Sequence, residues 1–323
     1  MEGAERTARI TIGIPVYNSS ATISEAIDGI VAQTRTDWRL VVADNASTDG
    51  TAEVVAERAA ADPRISLIRQ PRNLGQAANF RTVFEAGETE LFMWLSGDDR
   101  LRADYLALCV AELDRDPSLI GVFTDAEGID ADGRSMGRFL ERSGVDRDHP
   151  DRPRRFSAAV HATVGFAMFG LYRTEALARS PLLEPYVGSD RVLAGALALI
   201  GPIRELPDVA FLRRVHAEQY SRAANTNRHR YRSYTGREAP RLRPLWTTRI
   251  TRLAGLVWGS GGPLGERLTM ERTVFGSFLW RILKGELMML VRTGATVAGR
   301  ITGRRIDVMD WMMRRGEVFD SAR

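Results

Sequence analysis

Met93-Trp94-Leu95-Ser96-Gly97-Asp98-Asp99 is the stretch on which the reading of this chain turns. Apolar residues run into a small residue, a glycine and two adjacent carboxylates, the pattern of a buried strand whose C-terminal end opens into an acidic loop. Two neighbouring aspartates place about two negative charges within a few ångströms, which is unfavourable unless a cation or solvent offsets them. In open α/β sheets, ligands bind beyond the carboxyl ends of the strands. The loop therefore reads as a divalent-metal or diphosphate site. The plain alternative is a solvated turn capping the next helix, expected from Arg102 to Leu113.

Upstream, the same grammar repeats. Ile10 to Val16 alternates β-branched and small residues as a first strand, ended by Pro15, which cannot donate to a sheet ladder. Tyr17 and Asn18 fall in the strand-end loop, and Ile23, Ala26, Ile27, Ile30 and Val31 recur at helical spacing. Trp38 to Ala43 is a second strand, ending at Asp44 and the turn-rich run Asn45-Ala-Ser-Thr-Asp-Gly-Thr51. A helix over Ala52 to Ala61, a strand over Ile65 to Arg69, a loop to Gly75 and a helix over Gln76 to Ala86 precede the opening stretch. Strand and helix alternate as in a parallel sheet flanked by helices. Parallel strands put their C-terminal ends on one edge, so Asp44 and Asp98/Asp99 are expected to share a crevice.

Downstream the pattern loosens. Leu119 to Phe123 reads as a strand, and 126–156 as a polar, broken segment: a mobile loop over the site or an acceptor-facing insertion, with disorder as the plain alternative. Val164 to Tyr172 suits a strand and Thr174 to Arg179 a short helix. Asp190 stands at the N-terminus of the Ala/Leu-rich helix Val192 to Ile200, where the macrodipole favours an ionised carboxylate. Ile203 to Leu206 and Val209 to Arg214 read as two strands, with His216 in the loop beyond. Asn225 to Pro244, arginine-rich and poor in aliphatics, reads as a linker. Phe275, Phe278, Leu279, Ile282, Leu283, Leu287, Leu290 and Val291 then repeat at helical spacing among Arg281, Lys284 and Arg292. Such a basic amphipathic helix lies on a membrane surface or packs on its own domain or a dimer partner.

Charge divides the chain in the same place. Residues 1–223 hold 26 basic and 33 acidic residues, a net of −7; residues 224–323 hold 19 and 8, a net of +11, and together they give the overall +4. We divide the chain into 1–223 and a basic, mainly helical 224–323. The single cysteine, Cys109, excludes an intramolecular disulfide and a cysteine-based zinc site. The charged N-terminus does not read as a signal peptide, and no run of eighteen apolar residues occurs. These features lead to an expected location in the cytoplasm or at the inner face of a membrane. No G-x-G-x-x-G follows the first strand, which argues against a dinucleotide dehydrogenase. Ser19-Ser20-Ala21-Thr22 is not the glycine-rich basic loop a nucleotidyltransferase would need. The basic C-terminal region contains no nucleic-acid module, so no nucleic-acid partner is expected.

Four segments occur in order: Ile12-Gly-Ile-Pro-Val-Tyr-Asn18, Asp44-Asn-Ala-Ser-Thr-Asp-Gly-Thr51, Arg72-Asn-Leu-Gly-Gln-Ala-Ala-Asn79 and Leu95-Ser-Gly-Asp-Asp99. Together they resemble the donor-binding half of a family 2 glycosyltransferase. The resemblance covers about the first 220 residues. It implies the α/β GT-A fold of nucleotide-diphospho-sugar transferases, with a mixed, mainly parallel sheet flanked by helices, here followed by a C-terminal helical extension. It also implies inverting transfer from a nucleotide diphosphate sugar, UDP-linked by default with thymidine and guanosine donors open, to a hydroxyl of a cell-surface glycan, a lipid-linked acceptor or a small molecule.

The same resemblance implies roles for single residues. Pro15, Tyr17 and Asn18 match the first donor loop, and Asp44 the carboxylate that accepts from the base or ribose. Arg72, Asn73 and Asn79 belong to the third donor motif. Gly97 and Asp98 match the end of the D-x-D motif, in which Asp98 would hold Mg²⁺ or Mn²⁺ against the diphosphate. Ser96 replaces the first aspartate, which puts strict metal dependence in question. His216 resembles a histidine that completes the metal or diphosphate site in some relatives, with a surface-loop histidine as its plain alternative. Asp190 matches the general base in placement, with a helix cap as its plain alternative. A competing implication is a glycosyltransferase-like scaffold subunit that has lost turnover.

Overall fold

β1 (Ile10–Val16) is buried along almost its whole length, Thr11 included. That is the signature of a central strand covered on both faces. In the computed structural model, which describes residues 8–139, 146–162, 166–215, 227–238, 245–277, 279 and 319–320, β1 lies between two parallel neighbours. β2 (Trp38–Asp44) pairs with it from Ile10↔Trp38 to Val16↔Asp44, and β4 (Leu91–Trp94) from Ile10↔Leu91 to Gly13↔Trp94. β3 (Ile65–Arg69) extends the sheet beyond β2. The connecting helices are α1 (Ile23–Val31), α2 (Thr51–Ala61) and α3 (Gln76–Glu85). Phe80 and Phe84 of α3 pack on Phe92 and Trp94 of β4, and Trp94 Nε1 donates to the Phe80 carbonyl at 3.0 Å. The first half thus follows the expected alternation, because each unit is a local strand–loop–helix with its own apolar face.

Beyond β4 the sheet becomes mixed. A two-residue β5 (Arg100–Leu101) pairs antiparallel with the last long strand, so α4 (Tyr105–Arg115) begins later than the expected Arg102. Cys109 is buried on α4, and burial pushes its thiol pKa up, away from reactivity. The segment expected to be a broken loop is largely ordered. β6 (Gly121–Ile129) turns through 130–134 into β7 (Ser135–Phe139). Asp130 Oδ1 accepts from the N–H groups of Asp132 and Arg134 at 2.9 Å each. This is turn chemistry hidden in a polar stretch. α5 (Arg152–His161) follows, capped by Asp151, which accepts the Arg154 N–H at 3.0 Å.

The apolar run before Tyr172 is a 3₁₀ turn (Phe166–Phe169) and only a short strand, β8 (Leu171–Arg173), rather than a strand throughout. A short apolar run cannot by itself separate strand from turn. α6 (Thr174–Ala178) leads on to α7 (Ser189–Ile200). The two strands expected after it are one, β9 (Ile203–Arg214). Register shifts opposite Thr124–Ala126 let it accommodate Pro207 while it pairs parallel with β6 and antiparallel with β5. β8 joins β4 to β6, both antiparallel.

The expected linker contains α8 (Asn227–Thr235), whose Tyr234 is buried in the main core. Composition marked the segment as polar and missed the aromatic that anchors it. α9 (Leu245–Gly259) and α10 (residues 264–277) follow. Leu253, Val257, Met270 and Val274 from these two helices form a second core with Phe156 and Val160 of α5 and Val192 of α7. The amphipathic pattern expected onward from Phe275 lies almost wholly outside the described residues. A final β10 (Phe319–Asp320) pairs with β7. The architecture is a GT-A fold with a mixed sheet, flanking helices and a C-terminal helical extension. No described helix is long and apolar enough to cross a membrane.

Candidate active site

The carboxyl ends of β1, β2 and β4 meet at one edge, and their loops are tied to each other. The Asn45 N–H donates to the Val16 carbonyl at 2.9 Å, and the Leu95 N–H to the Gly13 carbonyl at 3.0 Å. Asn18, with a left-handed φ of 51° that asparagine tolerates, faces the loop after β2. Its N–H donates to Ser47 Oγ, and its Oδ1 accepts the Thr48 N–H, both at 2.9 Å. Asp44 is buried at the end of β2 and accepts the Ser47 N–H at 3.2 Å.

Asp49 accepts N–H groups from Ser20 and Thr51 at 3.0 Å each, while Thr51 Oγ1 accepts the Ser19 N–H at 2.8 Å. Burial pushes the Asp49 pKa up, but the Thr51 hydroxyl and these N–H donors outweigh it and hold the carboxyl down at about 2. Tyr17 stands 48% exposed above this edge, and Pro15 lies in β1 opposite Ala43.

The third donor motif joins through side-chain amides. Asn45 Nδ2 donates to Asn73 Oδ1 at 3.1 Å, Asn45 Oδ1 accepts the Leu74 N–H at 2.8 Å, and Asn73 Oδ1 also accepts the Gly75 N–H at 2.9 Å. Asn79 is buried, and its Nδ2 donates to the carbonyls of Val16 at 3.3 Å and Ala43 at 2.8 Å. That amide fastens α3 to the ends of β1 and β2. Arg72 is exposed, and its guanidinium makes no hydrogen bond or ion pair among the described residues.

The two aspartates of the opening stretch part company. Asp98 is half-buried, and its Oδ1 accepts from Ser96 Oγ at 2.5 Å. Asp99 is buried, and its Oδ1 accepts the backbone N–H of Arg214 at 3.0 Å. Burial, and then the neighbouring Asp98 charge, raise its pKa well above the ordinary carboxylate value, opposed by Arg213 and Arg214. Gly97, just before them, is held to a glycine by space, since a Cβ there would lie 2.8 Å from Val16 Cγ1. Thr22 Oγ1 donates to the Gly97 carbonyl at 2.9 Å and so ties α1 to the same loop.

Arg214 is the principal residue that sequence reasoning missed. It is buried at the end of β9, where Nε donates to the Asp98 carbonyl at 3.0 Å and Nη1 to the Asp130 and Ala131 carbonyls at 3.1 and 2.6 Å. Its Nη2 also pairs with Glu25 of α1 at 2.6 Å. One guanidinium therefore holds the acidic loop, α1 and the β6–β7 turn in fixed relation. The only sequence signal was an arginine ending an apolar strand.

Asp190 sits half-buried in the first turn of α7, after Gly188 at a left-handed φ of 89°. Its carboxylate makes no hydrogen bond or ion pair among the described residues. Ser189 Oγ donates to Tyr234 of α8 at 3.1 Å. Gly236, just past α8, abuts Leu74 and Gly75, so closely that a Cβ on Gly75 would collide with the Gly236 backbone. This short segment thus touches both the third donor motif and the start of α7. Arg249 of α9 passes over Gly188, with its Cδ 3.4 Å from where a Cβ there would lie. His216 lies outside the described residues.

Among the described residues, no group of three or more His, Cys, Asp or Glu side chains is placed to hold a metal ion. The edge nonetheless presents Asp98, a hard oxygen donor. Hard divalent ions bound beside phosphates commonly take only one or two protein carboxylates, so the donor set fits such an ion once a diphosphate supplies further oxygens.

Comparison with known proteins agrees with this geometry. The model of glycosyl transferase family 2 matches residues 11–179, just over half of the 323 residues. The chain belongs to glycosyl transferase family 2. The chondroitin synthase of Escherichia coli is 29% identical over 219 residues, covering 67% of this chain and 30% of that protein, so the chain spans under a third of that relative's length. Among solved structures, S. aureus TarS 1–349 in complex with UDP-GlcNAc superposes with a TM-score of 0.63 at 15% identity, over 83% of this chain and 72% of that one. The mannosyltransferase PcManGT of Pyrobaculum calidifontis, in complex with GDP-Man and Mn²⁺, superposes with a TM-score of 0.51 at 22% identity, over 90% and 81%. The two structural likenesses bear on the fold.

Proposed function

We propose that this glycosyltransferase moves a sugar, with inversion, from a nucleotide diphosphate sugar to an acceptor hydroxyl. The single observation that supports this most is the meeting of Asn18, Asp44 and Asp98 on one sheet edge, with Arg214 fixing the Asp98 loop from behind. In this reading Pro15, Tyr17, Asn18 and Asp44 hold the base and ribose, with Arg72 and Asn73 beside them. Gly97 lets the 96–99 loop lie close against β1, and Asp98 would hold Mg²⁺ or Mn²⁺. Such an ion neutralises the leaving diphosphate. His216 is a second candidate ligand.

Asp190 takes the proton from the acceptor hydroxyl as that oxygen bonds to the anomeric carbon. The bond from the anomeric carbon to the diphosphate breaks on the opposite face, and the diphosphate leaves with that electron pair. The donor is taken as UDP-linked. The acceptor is taken as a growing glycan or its lipid-linked form, in keeping with the chondroitin synthase relative. The second reading, a scaffold without turnover, has one specific support: Ser96 stands where an aspartate is expected, with its hydroxyl bonded to Asp98.

A thermal-shift series with UDP, GDP, dTDP and their sugar conjugates, with and without Mn²⁺, tests the donor site. Stabilisation by a uridine ligand is expected, and no shift with any nucleotide would sink the donor-site assignment. Asp190→Asn then separates the two readings. It should leave nucleotide binding unchanged and slow transfer by about 10²–10⁴-fold. Undiminished transfer would remove Asp190 as the base, whereas absence of transfer by the unaltered protein, with nucleotide bound, would favour the scaffold.

A further inference from the structure

α10 carries more apolar surface than its neighbours cover. Met270 and Val274 are buried in the second core, yet Leu264, Leu268 and Phe275 are 42–56% exposed, as is Leu279 at 58% two residues past its end. At 3.6 residues per turn the three on α10 fall within an arc of about 40°, a stripe on a different face from the packed one. Arg272 and Glu271 flank the stripe at its two edges by the same geometry. Arg267 stacks on the ring of Trp258 of α9, its guanidinium carbon 5.2 Å from the ring centroid, and that ring is itself 42% exposed. Isolated apolar residues on a surface need no explanation, but a contiguous stripe that includes an aromatic, Phe275, marks an interaction surface.

Charge selects the partner. The stripe belongs to the half of the chain that holds 19 basic and 8 acidic residues, while residues 1–223 hold 26 and 33. A second copy would set one strongly basic region against another, which is repulsive at contact. An anionic bilayer instead attracts this half and repels the acidic donor half, so the separation of charge also sets the orientation. The sequence beyond α10 keeps mixing apolar residues with Arg281, Lys284 and Arg292. A basic helix with an apolar stripe, and an aromatic ring beside a guanidinium, is the chemistry of a headgroup boundary. We infer that the α9–α10 face is a docking surface for an anionic lipid bilayer, holding the protein on the membrane by a shallow apolar stripe within a basic field.

The test uses the full chain with extruded vesicles of phosphatidylcholine alone and of phosphatidylcholine with an equal part of phosphatidylglycerol. Sedimentation should recover the protein with the anionic vesicles and at least tenfold less with the neutral ones, and added salt should weaken the anionic binding. The triple variant Leu264→Asp, Leu268→Asp, Phe275→Asp should lose vesicle binding by about tenfold or more while its melting temperature stays within roughly 2 °C. Equal binding by variant and unaltered protein, or no binding by the unaltered protein, overturns the inference. A dimer of the unaltered protein that the variant abolishes, without vesicle binding, assigns the stripe to a second copy instead. A drop of many degrees in the variant's melting temperature assigns it to this chain's own packing. None of these outcomes depends on the identity of the sugar donor.

Discussion

The sheet edge proposed to hold the donor and the Asp190 side proposed to receive the acceptor are built in different ways. At the donor edge, the loops after β1, β2 and β4 are cross-linked by side-chain-to-backbone bonds, such as Asn18 to Thr48, Asp49 to Ser20 and Thr22 to Gly97. Each loop follows its own buried strand. On the other side, Asp190 heads a helix steadied from segments far along the chain: Tyr234 of α8, Arg252 paired with Glu184 at 2.7 Å, and the small core shared with α9 and α10. A grip built from local strand–loop–helix units forms largely from each unit's own propensities. One built from distant helices depends on the whole chain being in place. The first is expected to tolerate loss of any one loop-to-loop bond, with the buried guanidinium of Arg214 as its one distant anchor, and the second to loosen from any one of its links.

Arg214→Met should break this contrast most severely. It deprives the carbonyls of Asp98, Asp130 and Ala131 and the Glu25 carboxylate of a buried partner. The expected cost is about 3 kcal/mol or more in urea unfolding, with nucleotide affinity lost along with it. Hydrogen exchange in α9 and α10 should remain near its unaltered pattern if the two sides are as separate as the contacts indicate. Gly97→Ala comes next. Its Cβ would press on Val16 Cγ1 from 2.8 Å, costing about 1–3 kcal/mol, and UDP binding by calorimetry should weaken while helix content is unchanged.

Tyr234→Phe removes the hydroxyl that accepts from Ser189, for about 1 kcal/mol of stability. If Tyr234 steadies the acceptor side, the acceptor KM or kcat should change while the donor KM stays the same, and a change confined to donor KM would contradict the division. The smallest effect is acidic. The Asp49 pKa is lowered in the folded state from 3.8 to about 2. Its stabilisation is therefore complete above the unfolded value and is lost as pH falls from there through the folded one. Asp49→Asn should lower the melting temperature by roughly 1–2 °C at neutral pH, with the difference from the unaltered protein shrinking to nothing near the folded pKa. A difference that persists in acid would mean the side chain acts by shape rather than by charge.

The two neighbouring aspartates show how far residues alone can be read. Their position after a buried strand marked a ligand edge, and adjacency alone could not tell which of them faces outward. Asp99 turns inward because the backbone of Arg214, 115 positions away in sequence, offers it a hydrogen bond. Similarly, the motif containing Asn79 placed it at the donor site, but only the folded register shows its amide fastened to the carbonyls of Val16 and Ala43. Polar stretches were the least legible. Residues 126–156 and 225–244 lacked periodic apolar residues, yet they contain a hairpin, the start of α5 and α8, ordered by Asp130, by the Asp151 cap and by one buried tyrosine.

By itself the sequence determined the strand–helix alternation of the donor half, the edge on which Asp44 and Asp98 stand, and the family, because these rest on local periodicity and on short motifs read in order. Only the tertiary structure decided that Asp98 stays at the edge while Asp99 is buried, that Arg214 locks the acidic loop, and that α9 and α10 share a core with α5 and α7 while, among the described residues, leaving an apolar stripe exposed. Those outcomes depend on which distant groups desolvate and pair with one another, and such pairings leave no periodic trace in the order of residues.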